Sequence, residues 1–199
     1  MKALNAAAIL AGGKSTRMGF DKQELMVDGE QLTARLIRAL RQDFETVVVV
    51  TARPELYQDL AVDTIADIYP GKGPLAGIHA ALRFTKAEYV YVTACDMPNY
   101  DPRMCVLLRS IIASHKPDAC VTRQGEWFEF FHAAYGRATL PLLEKILEGD
   151  IPSVGSFLRG VSTHYIPEQD VRLLSPDWDL FRNLNTPDDH QKYLSSMVK

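Results

Sequence analysis

Short apolar runs, several of them β-branched, recur along the 199-residue chain at Ala6 to Leu10, Val47 to Val50, Tyr89 to Thr93, Asp118 to Thr122 and Phe131 to Tyr135. Runs this short and this unbroken are the pattern of strands buried on both faces. Between them lie segments with helical spacing: Leu32, Leu36, Ile37 and Leu40; Ile78, Ala81 and Leu82; Val106, Leu107, Ile111 and Ile112; Leu142, Leu143, Ile146 and Leu147. Strands of that kind need helices on both sides of the sheet. The expected fold is therefore one Rossmann-like α/β domain of three layers (α/β/α) over residues 1–199, with a mainly parallel sheet. Ligands of such sheets bind in the crevice outside the carboxyl ends of the strands. The stretch from Gly149 to Asp179 is less periodic and carries Pro152, Pro167 and Pro176. It reads as a lid or crossover with substrate contacts, or as irregular surface loops.

A net charge of −3 lacks the positive excess of sequence-independent nucleic-acid binding, so any anionic ligand must be held by local features. Cys95, Cys105 and Cys120 are odd in number and form no C-x-x-C pair, which speaks against a disulfide framework or a cysteine zinc site and fits a reducing cytoplasm. No signal peptide is legible and no apolar run is long enough to span a bilayer. The expectation is a cytoplasmic protein with neither nucleic-acid nor membrane partners.

The stretch from Ala8 to Lys22, AILAGGKSTRMGFDK, contains two overlapping readings. Gly13-Lys14-Ser15 matches the end of a P-loop, but the first glycine of that motif should stand at residue 8, which is alanine. The alternative is a loop in which Gly12 and Gly13 let the backbone approach a phosphate, with Arg17 and Lys22 supplying countercharge. Lys14 is then a solvated loop lysine.

On Leu10, Gly13, Arg17, Met18 and Lys22, this stretch fits L-x-x-G-x-x-x-R-M-x-x-x-K and resembles the nucleotidyltransferases of the sugar-nucleotide type. As LAGGKSTRMGFDK it is similar to the molybdenum cofactor guanylyltransferases, the MobA family. The resemblance continues in family order to about Asp189 and implies the nucleotide-diphospho-sugar transferase type of fold. It implies nucleotide binding by Leu10, Ala11, Gly12, Gly13, Lys22, Asp67, Gly73 and Asp96. It also implies catalytic roles for Lys22, Arg17 and Asp96.

Each further element has a physical reading of its own. Asp67 precedes a turn-rich run into the Gly73 to Gly77 element, G-P-L-A-G. In the family a carboxylate here accepts hydrogen bonds from guanine, whose N1–H and exocyclic amine form a donor pair that adenine and cytosine lack. By turn preference alone, Asp67 would cap its own backbone. Asp96 stands where the strand in YVYVTACDMP ends, at the sheet's carboxyl edge. The family's C-D-x-P aspartate binds Mg²⁺, and one carboxylate with phosphate oxygens suffices for that ion. Cys95 reads as a small buried hydrophobe rather than a nucleophile.

Thr186 caps a helix with Pro187 at its first position. Asn183 and Asn185, in the family's N-x-N-T-P element, are the implied acceptor-binding residues. Trp127, Phe128, Phe130 and Phe131 read mostly as core, with pterin stacking as the alternative. Two departures stand out: Phe130 or its neighbour replaces a frequent family proline, and Thr51 stands where the family often has an asparagine near the ribose or base.

Together the resemblance implies transfer of GMP from GTP to molybdopterin with release of pyrophosphate, Mg²⁺ as cofactor, and contact with a cofactor-receiving molybdoenzyme or its chaperone. The competing readings are a cytidylyltransferase on the same cofactor, a sugar-phosphate nucleotidyltransferase, and a non-catalytic nucleotide-binding module that delivers cofactor.

Overall fold

The structure, a computed structural model, describes residues 3–12, 21–149 and 153–197. In chain order its elements are β1 (Leu4–Leu10), a 3₁₀ turn (Lys22–Glu24), β2 (Met26–Val27), β3 (Glu30–Gln31), α1 (Leu32–Leu40), β4 (Thr46–Val50), β5 (Asp63–Ile65) and α2 (Pro74–Thr85). Then come β6 (Tyr89–Ala94), α3 (Pro102–His115), β7 (Ala119–Gln124), β8 (Trp127–Gly136), α4 (Leu140–Glu148), α5 (Val154–Arg159), β9 (Thr163–Pro167), α6 (Glu168–Arg172) and α7 (Pro187–Met197).

Among the described residues the main sheet has the order β5-β4-β1-β6-β8-β7-β9. Every pairing is parallel except those of β8, which runs against both β6 and β7. The chain builds outward from β1 through β4 to β5, then returns to place β6 on the other side of β1. This reversal is the topological switch point, and it opens a crevice at the ends of β1 and β6.

The central strands are apolar at all but Asn5, Thr46 and Thr93 because each face has its own core. Ala7 and Ile9 of β1, Val47 and Val49 of β4, and Tyr89 and Tyr91 of β6 face one layer with Leu36 and Ile37 of α1 and Leu108 and Ile112 of α3. The alternate residues, Ala6, Ala8, Leu10, Val48, Val50, Val90 and Val92, face α2, α4 and α5. Alanines in β1 let α2 come close. A Cβ on Gly77 would stand 2.9 Å from both terminal carbons of Leu10.

Three expectations change. On α3 the buried stripe is Met104, Cys105, Leu108, Ile111 and Ile112, while Val106 is 63% exposed and Leu107 only partly buried. Of the described residues between Gly149 and Asp179, α5, β9 and α6 form regular structure, with β9 parallel to β7. Of the four aromatics from Trp127 to Phe131, Phe128 and Phe131 pack partly buried against the core, whereas Trp127 and Phe130 do not. β8 pairs with β6 only from Ala133 to Gly136, so its first half is paired with β7 alone. Trp127 is 81% exposed there, and the other three are partly buried. Among the described residues no helix is long and apolar enough to cross a membrane.

Candidate active site

At the switch point lies a cavity of about 780 Å³, within the usual range for a ligand site. Leu10, Ala11, Gly12, Lys22, Asp67, Gly73, Asp96, Asn183 and Asn185 all line it, as do Gln23 and Phe131. Gly13 and Arg17 lie outside the described residues, with Lys14 and Met18. The P-loop reading fails on β1 itself. Ala8 is mid-strand, paired with Val48 and Val92, and Ala11 still donates its N–H to the Val50 carbonyl at 2.8 Å. A P-loop would already be wrapping phosphate at that point.

Asp96 follows β6 and is 8% exposed. Its carbonyl accepts from the Leu184 N–H at 2.9 Å, and its Oδ2 accepts from Lys22 Nζ at 2.6 Å. Lys22 Nζ also donates to Asn185 Oδ1 at 2.6 Å. Residues 22, 96 and 185 thus meet around one ammonium group. The neighbouring Cys95 is buried, and burial, followed by the Asp96 charge, pushes its thiol far above the ordinary range. That removes any thiolate nucleophile.

A polar cluster fixes Lys22 in the chain. Asp21 caps the 3₁₀ turn by accepting from the Gln23 N–H at 3.0 Å. Burial raises the Asp21 pKa, but the Gln23 amide and the Arg53 guanidinium outweigh it, so the carboxyl ends below its ordinary value. Gln23 Oε1 accepts from the Thr51 hydroxyl at 2.6 Å and from Tyr57 at 3.1 Å, and Gln31 holds its carbonyl at 2.8 Å. Arg53 donates to both Asp21 and Glu24 at 2.9 Å. The hydroxyl of Thr51 is therefore committed to Gln23, and Gln23 is the amide on the cavity wall. Gln23 was not among the sequence candidates. Its only signal is a polar residue directly after the motif lysine.

At the other end stands Asp67. Its Oδ1 is buried and has no hydrogen-bond partner among the described residues. Burial raises its pKa, partly offset by His79. His79, on α2, is itself buried and faces Glu144 of α4 at 3.3 Å and the edge of Tyr69. Gly73 precedes α2 with φ 72° and ψ −158°, a conformation essentially confined to glycine, and Pro74 takes the first helical position. The α2 N-terminus, whose Ala76 N–H donates to the Gly73 carbonyl at 3.1 Å, thus turns the positive end of its dipole toward the cavity.

The two asparagines differ. Asn183 donates its amide to the Phe181 carbonyl at 3.0 Å, whereas Asn185 spends its side-chain oxygen on Lys22. The Thr186 hydroxyl accepts from the Asp189 N–H at 3.1 Å, the cap expected for α7.

The model of the MobA-like NTP transferase domain matches residues 7–164. The chain belongs to that family. This NTP transferase is 42% identical to a probable molybdenum cofactor guanylyltransferase of Peptoclostridium acidaminophilum, over 96% of this chain and 89% of the relative. It is also 42% identical to the molybdenum cofactor guanylyltransferase of Syntrophotalea carbinolica, over 94% and 90%. Among solved structures, molybdopterin-guanine dinucleotide biosynthesis protein A of Archaeoglobus fulgidus superposes with a TM-score of 0.84 at 27% identity, covering 97% of this chain and 98% of that one. The MobA-like match begins in β1 and ends in β9, so it takes in the switch point and both β1 and β6.

Proposed function

We propose that this nucleotidyltransferase transfers GMP from GTP to the terminal phosphate of molybdopterin, producing the guanine dinucleotide form of the cofactor and pyrophosphate. One observation carries the reading. Residues as far apart as 10 and 185 line a single cavity with a buried, unpartnered carboxylate oxygen at one end and a lysine–aspartate pair at the other. The first end suits a base that offers paired donors. The second suits phosphates.

Guanine presents N1–H and its amine to Asp67, which accepts with both oxygens. The Gly12 backbone and the α2 N-terminus flank the nucleotide. An oxygen of the acceptor phosphate attacks the α-phosphorus in line. The new P–O bond forms as the bond to the α,β-bridging oxygen breaks, and pyrophosphate leaves with that electron pair. Lys22 and Arg17 donate to oxygens on which charge develops, and Asn183 orients the acceptor. Positioning and charge neutralisation carry the acceleration, without a covalent enzyme intermediate.

Asp96 fits Mg²⁺, a hard cation that takes carboxylate and phosphate oxygens. Among the described residues there is no group of three or more His, Cys, Asp or Glu side chains that could hold a metal, and with Asp96 as a protein ligand, phosphate oxygens and water would share the ligand set. Held by Asp96, Mg²⁺ would supply charge neutralisation at the phosphates. The product would pass to a cytoplasmic molybdoenzyme or its chaperone.

The test is pyrophosphate release with Mg²⁺, each of the four nucleoside triphosphates, and either molybdopterin or a sugar phosphate. GTP with molybdopterin should dominate. Equal turnover of CTP would overturn the role of Asp67, and absence of turnover with every acceptor would leave a nucleotide-binding delivery module.

A further inference from the structure

Lys22 Nζ lies 2.6 Å from both Asp96 Oδ2 and Asn185 Oδ1. A lysine ammonium only donates, so the side-chain atom of Asn185 that faces it is the oxygen. That oxygen is held on a fixed frame. The Asn185 N–H donates to Asp189 Oδ2 at 3.1 Å, and the preceding Leu184, fully buried, donates its N–H to the carbonyl of Asp96. The segment carrying Asn185 is therefore tied to the aspartate that shares its lysine. Asn183, two residues earlier, is tied to Phe181 instead.

We propose that Asn185 is a positioning residue of the nucleotide side, aiming the Lys22 ammonium at the triphosphate. The inference rests on the guanylyl-transfer reading and reassigns one residue within it. A lysine side chain loses substantial rotamer freedom when fixed, and an anchored acceptor prepays that loss before nucleotide arrives. A neutral amide suits the task. It holds the ammonium without cancelling its charge, which a second carboxylate would do in direct competition with phosphate. When Asp96 is engaged with metal, Asn185 remains as a neutral anchor for the lysine.

The test is GTP affinity by calorimetry with Mg²⁺ and no acceptor, in wild type, Asn185→Leu, Lys22→Met and the double variant. Asn185→Leu should weaken GTP about tenfold, the scale of one hydrogen bond to a charged group. In the Lys22→Met background it should cost nothing further, because its effect runs through the lysine. Asn185→Ala, which cannot crowd the site, must reproduce the cycle, with thermal unfolding checked for each variant. Unchanged GTP affinity in folded Asn185→Leu, with only the molybdopterin KM altered, would confine Asn185 to the acceptor and overturn the proposal. So would losses that multiply in the double variant. Failure of the wild type to bind GTP would instead overturn the guanylyl-transfer reading.

Discussion

Asp67→Asn tests base recognition at its centre. The Asp67 carboxylate buries an oxygen with no partner among the described residues. Two hydrogen bonds from guanine to a charged acceptor, at about 1.5–3 kcal/mol each, amount to roughly 3–6 kcal/mol. At about 1.4 kcal/mol per decade that is on the order of 10²–10⁴ in kcat/KM. Asparagine keeps one acceptor and turns an N–H toward the guanine amine, so kcat/KM for GTP should fall about 10²–10³-fold. Xanthine carries a carbonyl in place of that amine, and the asparagine N–H can donate to it. The variant should therefore invert the preference between GTP and XTP in initial rates of pyrophosphate release. The same change should stabilise the fold. The native pKa of Asp67 is raised by burial, with His79 offsetting part of the rise, so its ionised form costs stability above the unfolded value of 3.8. The gain of Asp67→Asn should be present at neutral pH and vanish as the pH falls below that value, where both states bind the proton. A folded variant that still prefers GTP, or loses all nucleotides equally, would refute base reading by this carboxylate.

Lys22→Ala should lower transfer by about 10²–10³-fold, as loss of a transition-state donor does, whereas Lys14→Ala should retain most of it in the same assay; the reverse outcome would overturn Lys22 as the phosphate lysine. Gly73→Ala should cost about 1–3 kcal/mol of stability from backbone conformation alone, because a Cβ there meets open space within 4 Å; calorimetric unfolding reads the shift. His132 is fully buried, with its pKa pushed down to about 3 by burial, and Tyr91 lies 2.5 Å from its Nδ1. Between that value and about 6.5 the unfolded chain binds a proton that the native one does not, so stability should fall on acidification across this window at up to about 1.4 kcal/mol per pH unit. His132→Gln should remove that contribution in denaturant titrations.

Much of the architecture is legible because the central strands are buried twice over: a run such as Val47 to Val50 has only one reading. Strands without that protection are hidden. β5 and β9 lie at the sheet edges with mixed burial, and β2–β3 is a two-residue hairpin around Asp28 and Gly29, at φ 51° and 77°. The reversed direction of β8 is equally silent, because burial alone does not distinguish an antiparallel strand from a parallel one. Site residues at strand ends and glycine turns can be read locally, as Gly12, Asp96 and Gly73 show. Gln23 cannot, because the hydroxyls that orient it arrive from Thr51 and Tyr57. The division between Asn183 and Asn185 is likewise set by Phe181 on one side and a lysine early in the chain on the other.

The hydrogen bond from Leu184 to Asp96 also has a temporal side. A chain extended from its N-terminus possesses every strand of the main sheet once Pro167 has been made. Until residues 184 and 185 follow, the aspartate carbonyl lacks its amide and Lys22 lacks its amide-oxygen anchor. A truncated chain ending after β9 would lack Val171, Leu180, Phe181, Leu184 and Tyr193 of one apolar layer as well as the finished catalytic end. The same last stretch completes both the core and the site, so partial translation products would expose that layer and occupy chaperones without consuming nucleotide.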